Sequence, residues 1–128
     1  MSEVLNACER KVGLAYHKEI PLERCEFQRA VDCIEITADE VFDLTAPQRA
    51  EIKQLRRKFT LLVHSLDVSI GSVERPPQAY LDKVARVLEL TDAPYWSDHL
   101  AVSSTHTTSL GQFSPVWYTG DVLEVVAN

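Results

Sequence analysis

The chain has 128 residues, 45% of them hydrophobic and 25% charged, with 13 basic against 19 acidic residues for a net charge of -6. That is the composition of an ordinary globular domain, a single domain over residues 1–128, and not of a disordered or fibrous chain. The acidic balance offers no basic stripe for a phosphate backbone, which argues against nucleic acid as a partner, and no run approaches the ~20 apolar residues needed to span a bilayer.

The start MSEVLNACERK carries acidic residues where a signal peptide needs a basic region and an apolar core, so the expected location is the cytoplasm. Three cysteines, Cys8, Cys25 and Cys33, form no C-x-x-C pair. Their odd count argues against a disulfide framework, and all three are expected to be reduced.

In chain order, residues 12–16 (VGLAY) form a short apolar run of strand length, and a turn at Pro21 leads into a predicted helix over residues 22–30. Residues 33–37 (CIEIT), β-branched and short, read as a second strand. Residues 45–58 open with a helix start: Thr45 as N-cap, Pro47 in the first turn, and Gln48 placed to complete a capping box. Ile52, Leu55 and Phe59 mark its apolar side, and the basic residues Arg49, Lys53, Arg56 and Arg57 read as its solvated face. The nearly continuous apolar run at residues 59–63 (FTLLV) is the pattern of a strand buried on both faces of a parallel sheet.

Beyond the loop at residues 71–77, Tyr80, Leu81, Val84, Val87 and Leu88 recur at helical spacing. A fourth strand is expected around residues 95–102, and after a polar loop a last helix begins at Asp121. Strands alternating with helices imply βαβ units and a parallel sheet. A doubly wound sheet would favour a Gly-rich phosphate turn after the first strand, and AYHKEIP supplies none. The expected fold is therefore α/β of the (β/α)₈ TIM-barrel type. A complete barrel has eight such units in about 250 residues, so four units correspond to its N-terminal half.

Barrel chemistry sits at the carboxyl ends of the strands. His64 ends the third apolar run, Asp98 and His99 lie in the fourth, and Glu35 lies in the second. Imidazoles from two neighbouring strands can present nitrogen to one metal ion, with a carboxylate supplying oxygen. His64 and His99 are thus the candidate metal ligands, and Asp98 and Glu35 the candidate catalytic carboxylates. Because side chains alternate along a strand, Asp98 and His99 cannot both face inward on a regular one. His99 is therefore assigned to the metal, and Asp98 to orienting an imidazole or a water. A single strand-end His is more often a hydrogen-bonded structural residue, and the case rests on there being two. His17 and His106 are weaker candidates. Trp96 and Trp117 read as packing residues, while Asp39 and Glu40 could face the same mouth or simply sit in a helix's first turn.

At these residues the sequence resembles a known family. LLVHSLDVSIGS, PPQAYLDKVARVLEL, WSDHLAVSS and FSPVWYT follow, in order and spacing, the DUF692 (UPF0276) family, with VGLAY and CIEITADE similar to its first two strands. His64, the turn from Ser69 to Ser72, and Ser97, Asp98 and His99 match its motifs, and Glu35 its acidic position. Two departures stand out. Thr37, Ala38, Asp39 and Glu40 replace a His-Ala-Glu-Asn-like run, and Leu110 to Gln112 replace a His-Asp pair.

The resemblance implies a xylose-isomerase-like (β/α)₈ barrel holding two or three iron ions and carrying out oxygen-dependent remodelling of cysteine residues in a precursor peptide. It also implies a partner protein that presents that peptide, and further ligands on later strands. Two other readings compete: a divalent-metal sugar isomerase or epimerase, and a non-catalytic truncated fragment that forms a homo-oligomer by pairing its open sheet edges.

Overall fold

A computed structural model describes residues 11–19, 30–105 and 107–127. Strands β1 (Gly13–Ala15), β2 (Cys33–Thr37), β3 (Thr60–His64) and β4 (Trp96–Ser97) form one four-stranded sheet in the order β1-β2-β3-β4, every pairing parallel. Sequential strands are spatial neighbours throughout, with no reversal of order among the described strands. A doubly wound sheet would show such a reversal, so the order is compatible with a sector of a barrel. The helix expected over residues 22–30 lies, but for Ala30, outside the described residues, as do Cys8, Cys25 and His106.

Helix α1 (Ala46–Leu55) starts where the cap predicts. Gln48 Oε1 accepts from the Thr45 amide at 2.9 Å and from the Thr45 hydroxyl at 2.8 Å, so one orphan amide at the helix entry is satisfied locally. Helix α2 (Gln78–Thr91) is closed by Asp92 in the left-handed conformation, φ 54°, whose amide returns to the Leu88 carbonyl at 2.8 Å. Between β2 and α1 a 3₁₀ turn spans Ala38–Val41.

Alternation along the strands sorts the sheet into two faces. Ile34, Ile36, Leu61 and Val63 are buried against Ile52 and Leu55 of α1 and Val84 and Val87 of α2, with Tyr16, Ala38, Val41 and Leu44 completing the core. The opposite face carries Ala15, Glu35, Leu62 and His64. There the burial stops: Ala15 and Glu35 are exposed and Leu62 is half-buried. The two-sided burial expected of β3 is therefore one-sided, because no described element packs over Leu62.

The fourth strand is much shorter than the run at residues 95–102 suggests. It ends at Ser97, and β5 (Ala101–Ser104) leaves the sheet to pair with β6 (Ser109–Pro115) in an antiparallel hairpin. The polar stretch read as a loop is the hairpin tip, where the Thr105 amide bonds the Thr108 carbonyl at 2.8 Å. Helix α3 (Gly120–Ala127) follows the hairpin, starting one residue before the expected Asp121, and leaves Leu123 exposed.

Candidate functional site

The loop after β3 is the hub of the molecule. Its residues, His64 to Ser72, tie four elements together through polar contacts, as a buried loop must in order to satisfy its backbone. The Leu66 amide donates to Asp39 Oδ2 at 2.9 Å, and the Asp67 amide to the Tyr80 hydroxyl at 3.0 Å, which in turn donates to Asp39 Oδ1 at 2.9 Å. Asp39 therefore binds the 3₁₀ turn, the hub loop and α2 at once. Burial pushes the Tyr80 phenol well above its usual range, and the Asp39 carboxylate beside it adds to the effect.

Toward the hairpin, Ser69 adopts φ 59° and its hydroxyl is shared three ways. It donates to the Ser104 carbonyl at 2.9 Å and accepts from the Ser103 and Ser104 amides at 3.0 and 3.2 Å. The Ser103 hydroxyl donates to Asp67 at 2.6 Å. Gly71 donates its amide to the Ala101 carbonyl at 2.9 Å, an approach so close that a Cβ there would lie 2.2 Å from Val116 Cγ1 and 3.1 Å from the Ala101 carbonyl. Only a residue without a side chain fits.

At the carboxyl edge of the sheet the two expected histidines meet. His64 and His99 place their ring centroids 4.7 Å apart at 68°, an edge-to-face pair. His64 ends β3 opposite Ser97 of β4, and its Nδ1 lies 3.0 Å from the Ser97 hydroxyl. His99 sits two residues past β4 and is stacked by Phe113 of β6, with centroids 3.8 Å apart and planes 17° apart. Its Nδ1 is buried with no hydrogen-bond partner. A buried polar nitrogen left unsatisfied costs about 1–3 kcal/mol, and a cation at that nitrogen would relieve the cost. The donor set fits a transition metal in kind, two imidazoles on one edge, but not in number. Among the described residues no group of three or more His, Cys, Asp and Glu side chains gathers to hold an ion.

Neither candidate carboxylate makes a described hydrogen bond to a ring nitrogen of the pair. Asp98 receives hydrogen bonds from the Ser65 hydroxyl, from the Val68 amide at 3.3 Å and from the His99 amide at 2.6 Å. It thus acts on the backbone that carries His99, and the contact to the His64 imidazole is made by Ser97. Strand alternation does not govern Asp98 and His99, because both lie beyond the last residue of β4. Glu35 is exposed on the same face as His64, paired in register with Leu62 one side-chain layer below it.

Of the weaker candidates, His17 is exposed and shares a shallow cavity with Lys18, Glu19 and Glu40, away from the histidine pair. Trp96 donates its indole N–H to the Ser65 hydroxyl at 2.7 Å, while Trp117 is 83% exposed. Cys33 is a free, half-buried thiol. Sequence reasoning placed Ser97 and the Ser69 to Ser72 turn among the family motifs without giving either a role, and it missed the stack of Phe113 on His99. The register of β3 against β4 gives Ser97 its place beside His64, but nothing in the local sequence signals the Ser69 clamp or the Phe113 stack.

A parallel α/β sheet with paired imidazoles at its carboxyl edge defines an α/β protein whose polar groups collect where parallel strands end. The chain belongs to the RiPP precursor modification enzyme family MbnB/TglH/ChrH, whose model matches residues 11–128. It is similar to a UPF0276 protein of Vibrio parahaemolyticus, 29% identical over 72% of this chain and 32% of that one. A UPF0276 protein of Shewanella oneidensis is 27% identical over 73% of this chain and 34% of its own length. Another, from Rhizobium meliloti, is 23% identical over 87% and 36%. The chain spans about a third of the length of the curated relatives it matches. No described helix is long and apolar enough to cross a membrane.

Proposed function

We propose that this chain forms the β1-to-β4 sector of a (β/α)₈ barrel in an iron-dependent enzyme that oxidatively modifies cysteine residues of a precursor peptide. One observation carries the reading. In a member of a peptide-modification family, two imidazoles from adjacent strand ends converge to 4.7 Å, and one of them keeps a buried, unpartnered nitrogen.

His64 and His99 would hold the metal, and iron bound there would supply activation of dioxygen for thiol oxidation. The protein's own groups prepare that site. Asp98 anchors the backbone of His99, Phe113 covers one face of its ring, and Glu35 places a carboxylate on the open sheet face. The remaining ligands come from later strands of the barrel, since two imidazoles alone neither neutralise nor geometrically fix a multi-iron cluster. Strands completing the barrel would also cover the open face carrying Ala15 and Leu62. A precursor peptide, and a protein presenting it, are the partners this reading requires.

Metal analysis of the purified protein, with His64→Ala and His99→Ala beside it, tests the assignment. Iron that falls in both variants while the fold persists supports it. Full iron content in either variant removes that residue from the ligand set, and bound magnesium, manganese or zinc in place of iron would move the reading to a sugar isomerase or epimerase. By itself the 128-residue chain is expected to bind iron weakly, to associate through its open edges and to be catalytically silent.

A further inference from the structure

Every polar contact described for the two rings' side-chain nitrogens reduces to one bond, His64 Nδ1 to Ser97 Oγ at 3.0 Å. We propose that Ser97 is the positioning residue of the candidate centre. Its hydroxyl oxygen accepts the Nδ1–H of His64, fixing the ring in the Nδ1–H tautomer and leaving the Nε2 lone pair as the donor atom. This rests on the metal-centre reading above and deepens it.

The geometry follows from the sheet. His64 and Ser97 are register partners of adjacent parallel strands, so their side chains leave the same face side by side. The Ser65 amide bonds the Ser97 carbonyl at 2.9 Å and locks that register at its last rung. The next residue, Asp98, lies past the strand and turns to Ser65 and Val68, so its carboxylate is committed elsewhere. Ser97 Oγ has no other described hydrogen bond and is free to serve the imidazole.

The direction of the bond decides its consequence. A hydroxyl donating to Nδ1 would put the ring proton on Nε2 and remove the lone pair a metal needs. A hydroxyl accepting from Nδ1–H leaves Nε2 unprotonated, and the hydrogen bond made by one ring nitrogen selects the other as ligand. The acceptor is also neutral. A carboxylate in this place would make the imidazole more basic, whereas a hydroxyl orients the ring without adding negative charge beside it.

The test uses the full chain labelled with ¹⁵N-histidine and held at a pH where the rings are neutral, with cobalt(II) as the titrant. The expected wild-type spectrum shows His64 with a protonated Nδ1 and an unprotonated Nε2. Ser97→Ala should return His64 to a mixture of tautomers and weaken cobalt binding by about 10- to 100-fold, the range for lost partners of metal-ligating histidines. Ser97→Thr, which keeps the hydroxyl, should restore both. Far-UV circular dichroism shows whether each variant is folded.

A wild-type His64 protonated on Nε2 overturns the proposal without recourse to any variant. So does a folded Ser97→Ala chain whose tautomer and cobalt affinity match wild type. If the tautomer responds as expected but neither wild type nor Ser97→Thr takes up cobalt even in large excess, where weak binding by two imidazoles would register, the role of Ser97 in orienting His64 stands and the metal-centre reading fails.

Discussion

The two faces of the parallel sheet are made by the same strands and do opposite work. On one, Ile34, Ile36, Leu61 and Val63 are each at most 2% exposed beneath α1 and α2. On the other, one residue out of step, stand Ala15, Glu35, Leu62 and His64, exposed or half-buried. Packing and the candidate site are separated by the period of a strand. The packed face can be apolar without compromise, and the open face can carry groups that a core would reject. The hairpin and hub loop then bring His99 and Phe113 to the open side at the strand ends.

That separation breaks most visibly under truncation. Ile36→Ala removes a side chain with no exposure, whose neighbours are fixed by two helices, and is expected to cost about 2–5 kcal/mol. His64→Ala, one strand over on the other face, is expected to change stability by no more than about 0.5 kcal/mol. Urea unfolding of the two variants side by side measures the contrast. Comparable losses would mean that the open face is part of the core.

The packed face was legible because its signals are local. The alternation in CIEIT, the capping box at Thr45 and Gln48, and the spacing of Val84 and Val87 each fix an element within a few residues. His64 and His99 were legible for a related reason, as polar residues closing apolar runs. The hairpin was not. The residues of β6 include Ser109, Gly111, Gln112 and Ser114 and show no apolar period, because its strand is held by β5 and not by burial. The place of Asp39 was equally hidden. Its partners Leu66 and Tyr80 are 27 and 41 residues away, and only the folded chain brings them together.

Asp39 and Gly71 sharpen the comparison, because they join the two faces without belonging to either. Asp39→Ala strands the Leu66 amide and loosens the Tyr80 hydroxyl, at about 1–3 kcal/mol for each buried group left unpaired. Asp39→Asn, which keeps one acceptor oxygen, should lose less. Gly71→Ala forces a methyl against Val116 and the Ala101 backbone, and overpacking of that kind costs about 1–3 kcal/mol. Its signature is local. Amide exchange should quicken in β5 and β6 while β2 and β3 stay protected, and uniform loss of protection would mean that hairpin and sheet unfold as one.

An effect confined to alkaline pH tests whether the packed face is sealed at its edge. The Tyr16 side chain lies in the core, 2% exposed, with its hydroxyl 3.2 Å from Glu51 Oε2 of α1. Burial first, and the Glu51 carboxylate second, push its phenol from 10.0 up to about 12. Below pH 10.0 both folded and unfolded chains keep this proton, and the contribution to stability is whole. Between 10.0 and about 12 the unfolded chain releases a proton that the fold retains, so stability falls as pH rises through that window. Lysines titrate in the same range, so the informative quantity is the difference between wild type and Tyr16→Phe, a variant with no phenolic proton to lose. The stability advantage of wild type over Tyr16→Phe should shrink steadily as pH is raised across the window, measured by urea unfolding at each pH. A constant difference would place the Tyr16 hydroxyl in water and show that the packed face is open at β1.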